Sequence, residues 1–284
     1  MTSTQERLKP AFFRSLHAAT CQVQCSHCNL REICLPVGLT REELERIEHR
    51  LVAARRKVAR GETMFRAGDR ADSLFAVRTG FFKTLARSHQ GEEQVTGFQM
   101  AGELIGLSGI ETGFHEVDAV ALEDSQVCVI PLADLEALER EAPALQARFH
   151  RMMSHEIAIG HQAMLQLGSM HADERVAAFL LNLMHRLGAR GFSATSLHLR
   201  MSRDEIGSFL GLTAETVSRT LSGFQANGLL AVRQRLITVT DASGLQRVLD
   251  GAPARRDRDG AGGRLAGGVA PHGHSATQTP QPLQ

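Results

Sequence analysis

Between residues 58 and 132 apolar and polar positions alternate in short runs, at 73–77, 81–86, 93–98 and 126–130, punctuated by Gly61, Gly68, Gly80, Gly91, Gly102, Gly106, Gly109 and Gly113. A period of two marks strands with one buried face, and turn residues this frequent predict an all-β roll or sandwich. Ahead of it, a short charged helix is predicted at 40–50, with Thr40 as N-cap and Glu43 three residues later completing a capping box.

After Pro131 the strand pattern gives way to a helical one, first broken at Pro143. From 144 to about 170 no proline intervenes, and Phe149, Met153, Ile157, Gly160, Met164 and Leu167 follow at steps of three and four. This is the seam of a coiled coil. A helix of about 27 residues runs about 40 Å, further than one small domain covers, so part of the seam is expected to meet a second subunit.

A second helical region spans about 173–249. Ser202 and Glu205 form a capping box that opens a short helix, Gly211 ends it, and Thr213 caps a second helix running to about Asn227. Two helices joined by so short a turn make a helix-turn-helix candidate. Val217, Leu221 and Phe224 share the face that would be buried, while Glu215, Ser218, Arg219 and Ser222 point away. Arg219 can address guanine O6 and N7, Glu215 a cytosine amino group and Ser218 a base edge. The same Glu215 and Arg219 could instead form a surface ion pair. The run 229–239 favours the nucleic-acid reading, because it spells two strands around a basic turn, a wing that would place Arg233 and Arg235 near phosphates.

With 284 residues, 43% of them hydrophobic, the chain is long enough for two compact domains, each burying its own core. No apolar stretch approaches the roughly 20 residues of a membrane span. A formal net charge of +1 means that any nucleic-acid binding depends on a local basic face. The tail at 251–284, rich in Gly, Pro, Arg, His and Gln, is expected to be disordered, and its His272 and His274 receive no role.

Four of the five cysteines fall within fourteen residues, Cys21-x3-Cys25-x2-Cys28-x5-Cys34, and Cys128 stands far away. Thiolates this close can converge on one soft metal centre. The odd total and the lack of a signal-like apolar run argue against a secreted disulfide scaffold and point to the cytoplasm. By spacing alone, zinc and iron both remain possible occupants.

In this order, the cysteine cluster, roll, long helix and winged helix resemble the CRP/FNR superfamily of bacterial transcription factors, and more narrowly its oxygen-sensing FNR/ANR branch. The resemblance covers about 21–249 and rests on Cys25-Ser-His-Cys28, Gln94-Val-Thr-Gly-Phe98, Asp173-Glu-Arg-Val-Ala-Ala-Phe179 and Leu212-Thr-Ala-Glu-Thr-Val-Ser-Arg219. It implies an α+β chain with a cysteine-rich iron–sulfur segment (1–36), a cyclic-nucleotide-binding-like β-roll (37–142), a dimerisation helix (143–171), a winged helix-turn-helix domain (172–250) and the tail (251–284). It also implies that Cys25, Cys28, Cys34 and Cys128 hold a 4Fe–4S cluster, with Cys21 spare, and that oxygen converts the cluster to a 2Fe–2S form and weakens a homodimer. Glu215, Ser218 and Arg219, with Thr213, Arg233 and Arg235 beside them, would then read double-stranded DNA at a palindrome of TTGAT-type half-sites. The protein would act in anoxia, chiefly as an activator of anaerobic metabolism. By the same resemblance the acidic turn at Gly91-Glu92-Glu93 would touch RNA polymerase.

At Gly160 the chain departs from the family, whose members often carry an acidic residue that repels its symmetry mate. A cyclic-nucleotide response is disfavoured, because the stretch 110–120 offers Val117-Asp118 where the cyclic phosphate needs an arginine and a serine. An enzyme is not expected. His155 and His161 are six apart where a zinc-peptidase helix needs four, and the glycine-rich turns have no Lys-Ser/Thr partner of a phosphate loop.

Overall fold

The computed structural model describes residues 25–88 and 90–251; Cys21, His272, His274 and the tail beyond residue 251 lie outside the described residues. The predicted first helix is α1 (Arg41–Leu51), and both halves of its capping box form: Thr40 Oγ1 accepts from Glu43 N–H, and Thr40 N–H donates to the Glu43 carboxylate.

Eight strands follow: β1 (Ala54–Val58), β2 (Thr63–Phe65), β3 (Ser73–Thr79), β4 (Phe81–Arg87), β5 (Glu93–Met100), β6 (Leu104–Ile105), β7 (Asp118–Ala121) and β8 (Ser125–Pro131). They make two four-stranded antiparallel sheets in the orders β1-β8-β3-β6 and β2-β7-β4-β5. Val58, Met64, Phe65, Val77, Phe82 and Val127 fill the space between them, as a period-two pattern requires.

Helices α2 (Leu132–Glu141) and α3 (Pro143–Ser169) come next, with Pro143 in the first turn of α3, where its missing N–H costs nothing. Leu135, Leu138, Leu145 and Phe149 join Ile47 and Leu51 of α1 in covering the outer face of the β1-β8-β3-β6 sheet. The seam, only part of which is expected to meet a second subunit, is divided. Phe149 closes the chain's own core, with Met153 packed against it, because the first turns of α3 lie over the roll. From Ile157 onwards the helix leaves the roll: Ile157, Met164 and Leu165 are 59%, 65% and 60% exposed, and a side chain at Gly160 would meet open space.

The last part of the described chain holds α4 (Ala172–Gly188), β9 (Ser196–His198), α5 (Arg203–Leu210), α6 (Ala214–Ala226), β10 (Leu230–Arg233), β11 (Leu236–Val239) and α7 (Ala242–Leu249). The wing is a three-stranded sheet, β10-β11-β9. The roll buries a core of its own between its sheets, but it also shares a second one with the helices that follow. Leu85, Val95, Phe98, Met100 and Leu122 of the roll belong to the same apolar cluster as Phe179, Leu183, Ile206, Leu210 and Phe224. The outer face of β4 and β5 is apolar too, and each such side chain gains about 1.5–3 kcal/mol by leaving water. Phe98, Phe179 and Phe209 meet edge-on or tilted, with ring centroids 5.3–6.1 Å apart.

Candidate metal centre and nucleic-acid interface

Residues 25–37 fold as a chain of tight turns, with hydrogen bonds from Cys28 N–H to Cys25 C=O, Ile33 N–H to Leu30 C=O and Cys34 N–H to Leu30 C=O at 2.8–3.0 Å. The two-residue gap between Cys25 and Cys28 thus folds back in a single turn. Three contacts anchor the loop: Ser26 N–H donates to the buried Glu48 carboxylate of α1, Leu35 is wholly buried, and Arg148 of α3 donates from Nη2 to Ile33 C=O at 3.0 Å. The Ile33 side chain lies against Gly102, whose φ of +88° makes the turn into β6; a Cβ there would come within 2.8 Å of Ile33 Cδ1.

Cys128 reaches the same place from the sheet. On β8, Val127 points between the sheets, so Cys128 points outward, opposite Arg55 of β1 and Ala76 of β3. Cys25, Cys28, Cys34 and Cys128 line one apolar cavity together with Leu30, Leu35, Leu51 and Ile130. None of the four is in a disulfide.

Burial pushes the thiols of Cys25 and Cys34 up to about 12, and the neighbouring cysteines add to it. Cys128 is raised by burial too, against the pull of Arg55 and Arg78. In the absence of a cation these sulfurs are protonated at neutral pH, and ligation would release the protons. Around the cavity, the Nε atoms of Arg55, Arg78 and Arg148 are buried with no hydrogen-bond partner. Buried guanidinium donors beside the thiols would suit an anionic, thiolate-ligated centre, but among the described residues no group of three or more Cys, His, Asp or Glu side chains is arranged to hold a metal ion. These arginines are not legible in the sequence, because only the docking of β1, β3 and α3 brings them to the loop.

The position considered for a cyclic phosphate holds a buried carboxylate. Asp118 is buried, accepts from Ala67 N–H at 2.8 Å and pairs with Arg87 at 2.9 Å.

In the helix-turn-helix, Ser202 Oγ caps α5 and the Glu205 carboxylate returns to Ser202 N–H. Gly211, with φ +64°, ends α5 in the left-handed conformation. Gly207 must lack a side chain, since a Cβ would lie 2.5 Å from Leu212 C=O. Thr213 caps α6 by accepting from Thr216 N–H. Val217, Leu221 and Phe224 are buried as expected, and Glu215, Ser218 and Arg219 project into solvent. Glu215 and Arg219 approach only to 3.7 Å, and both are more than 70% exposed, so their ion pair is weak and both heads stay available.

In the wing, Arg233 is exposed, while Arg235 donates from Nη1 to Arg200 C=O at 2.9 Å and so also supports the turn it stands in. Gln234 between them takes a φ of +55°. The Val232 N–H donates to the Gln225 side chain of α6, tying wing to helix. The β4–β5 turn exposes Gly91 and Glu92, with Glu92 N–H donating to Ser88 Oγ; Glu93 pairs with Arg87. His155 and His161 are both exposed on α3. Among the described residues no helix is long and apolar enough to cross a membrane.

Residues 55–141 match the cyclic nucleotide-binding domain family, and residues 174–248 match the Crp-like helix-turn-helix domain family. The transcriptional regulatory protein btr of Bordetella pertussis is 44% identical over 225 residues, 79% of this chain and 93% of that protein. The transcriptional activator protein FnrA of Stutzerimonas stutzeri is 44% identical over 231 residues, 81% and 94% of the two chains. Among solved structures, FixK2 from Bradyrhizobium japonicum superposes with a TM-score of 0.63 at 30% identity, covering 68% of this chain and 96% of that one.

Proposed function

Since the chain belongs to the CRP/FNR family of DNA-binding transcription regulators, we propose that its DNA binding is governed by an oxygen-labile 4Fe–4S cluster held by Cys25, Cys28, Cys34 and Cys128. The observation that carries this reading is the convergence of three loop cysteines and one strand cysteine on a single apolar cavity. Bound there, the cluster would supply reactivity toward oxygen.

The chain's own residues do the rest. The four thiolates tie the loop to β8, and with it the Ile33 carbonyl that Arg148 of α3 holds. Ligation therefore orders the segment that packs on the base of the long helix, and its loss frees that segment. The exposed half of the seam, Ile157, Met164 and Leu167 with Gly160 between them, is where we place the partner subunit. If about 3 kcal/mol of ligation energy favours the dimer, its dissociation constant shifts by about two orders of magnitude. A two-fold dimer carries two α6 helices to the two halves of a palindrome, where Glu215, Ser218 and Arg219 read bases of TTGAT-type half-sites and Thr213, Arg233 and Arg235 lie at the backbone. Gly91 and Glu92 form the surface we assign to RNA polymerase in activation.

The test is anaerobic purification with the visible spectrum, iron and sulfide assays and operator binding before and after air. About four irons per chain, bleaching in air with parallel loss of operator affinity, is expected. Colourless protein containing zinc, with DNA binding indifferent to air, would overturn the reading.

A further inference from the structure

Arg175, in the first turn of α4, directs its whole guanidinium to backbone carbonyls. Its Nε donates to Met170 C=O at 3.0 Å, Nη2 to Leu167 C=O at 2.9 Å and Nη1 to Leu210 C=O at 2.9 Å. The first two acceptors belong to the end of α3 and the third is the last residue of α5. Carbonyls at a helix C-terminus lack intrahelical partners and carry partial negative charge, so one cation here joins two helix ends. A second contact lies beside it. The Leu167 side chain packs on Gly211, where a Cβ would come within 3.0 Å of Leu167 Cδ2, and Gly211 opens the turn into α6.

We propose that Arg175 is a positioning residue for DNA reading: its three-way bond fixes the angle at which α3 delivers the helix-turn-helix. In a dimer built along α3, that angle sets the separation of the two α6 helices and hence the half-site spacing the protein accepts. Only a planar fork with several donors reaches three carbonyls at once; a lysine ammonium cannot hold both helix ends in the same geometry. The proposal rests on the dimeric operator reading given above and adds to it the residue that calibrates the dimer.

The full-length, anaerobically prepared protein is used, with an operator obtained by selection from random DNA. Binding of wild type, Arg175→Lys and Arg175→Gln is measured on that palindrome, on versions with one base pair added to or removed from the spacer, and on a single half-site, alongside sedimentation of the free protein. Wild type is expected to lose about tenfold or more on either spacer change. Both variants are expected to bind the original spacer about tenfold more weakly, to respond little to spacer length, and to keep the half-site affinity and dimerisation of wild type. A uniform loss on every probe, the half-site included, would reduce Arg175 to a structural residue, and an unchanged spacer profile would overturn the proposal outright. Wild-type protein that binds a half-site as tightly as the palindrome would overturn the dimeric reading, and this proposal with it.

Discussion

Glu103 of the roll and Arg186 of α4 form a two-pronged ion pair, with Nε 3.0 Å from one carboxylate oxygen and Nη2 2.6 Å from the other. Arg190 adds a third bond to the same carboxylate at 2.5 Å and a further one to Ala101 C=O. Neither Glu103 nor Arg186 is more than a quarter exposed. Replacing Glu103 with Gln leaves two guanidinium groups against the roll without their counter-charge. Allowing for the remaining exposure, we expect a loss of about 1–3 kcal/mol, read as a lower urea midpoint. An unchanged midpoint would show that the ion pair is dispensable to the shared core.

The divided seam predicts two kinds of failure from one helix. Phe149→Ala opens a cavity in the chain's own core and should cost about 3–5 kcal/mol of stability. Ile157→Glu leaves that core untouched but sets two carboxylates against each other across a two-fold axis. It should abolish dimers in sedimentation while leaving the thermal midpoint of the monomer near that of wild type.

Acid should loosen the contact between roll and helix-turn-helix. Burial raises the Glu205 carboxyl, but Lys83 and the Ser202 N–H and hydroxyl outweigh it and hold the group below the ordinary carboxylate range. A depressed folded value means that its contribution is full above the unfolded value of about 4.3 and is lost as pH falls through the folded one. Stability measured from neutral pH down through this window should therefore fall less steeply in Glu205→Gln than in wild type.

At the reading helix, Arg219→Ala should cost about 1–3 kcal/mol of operator affinity and relax the base preference at one position of each half-site. Arg233→Ala should weaken binding evenly across sequences and reduce the salt slope by about 1 for each subunit on the operator. Binding titrations at several salt concentrations on matched and single-mismatch operators separate the two.

At the cysteine site, Cys25→Ala, Cys28→Ala, Cys34→Ala and Cys128→Ala should each yield protein depleted in iron after anaerobic purification, whereas Cys21→Ala should retain it. Iron retained by Cys128→Ala would show that the strand cysteine is not a ligand.

What the sequence makes legible is local. The capping boxes at Thr40 and Ser202, the turn between Cys25 and Cys28, and the buried face of Val217, Leu221 and Phe224 all follow from spacings within one or two helical turns. Cys128 is different: its membership in the set comes from the resemblance, since nothing in its neighbourhood says that β8 runs beneath a loop nearly a hundred residues earlier. The period of the seam cannot separate Phe149 from Ile157, because the same apolar spacing serves a core and a partner surface alike. The clasp of Glu103 by residues 83 and 87 positions away, and the three carbonyls gathered by Arg175, arise from how elements dock, which no local pattern encodes.

The cluster in which Leu85, Val95, Phe98 and Met100 pack with Phe179, Ile206 and Leu210 has a consequence for engineering. Regulators of this architecture invite the exchange of parts, with one protein's sensor grafted to another's operator preference. In this chain a crossover placed between roll and α4 would cut through a single core, leaving an oily patch on each side shaped for a neighbour that has been removed. A working hybrid has to carry the outer face of β4 and β5 along with the transplanted helices, or else restrict the exchange to the solvent face of α6, where Glu215, Ser218 and Arg219 touch nothing that the fold depends on.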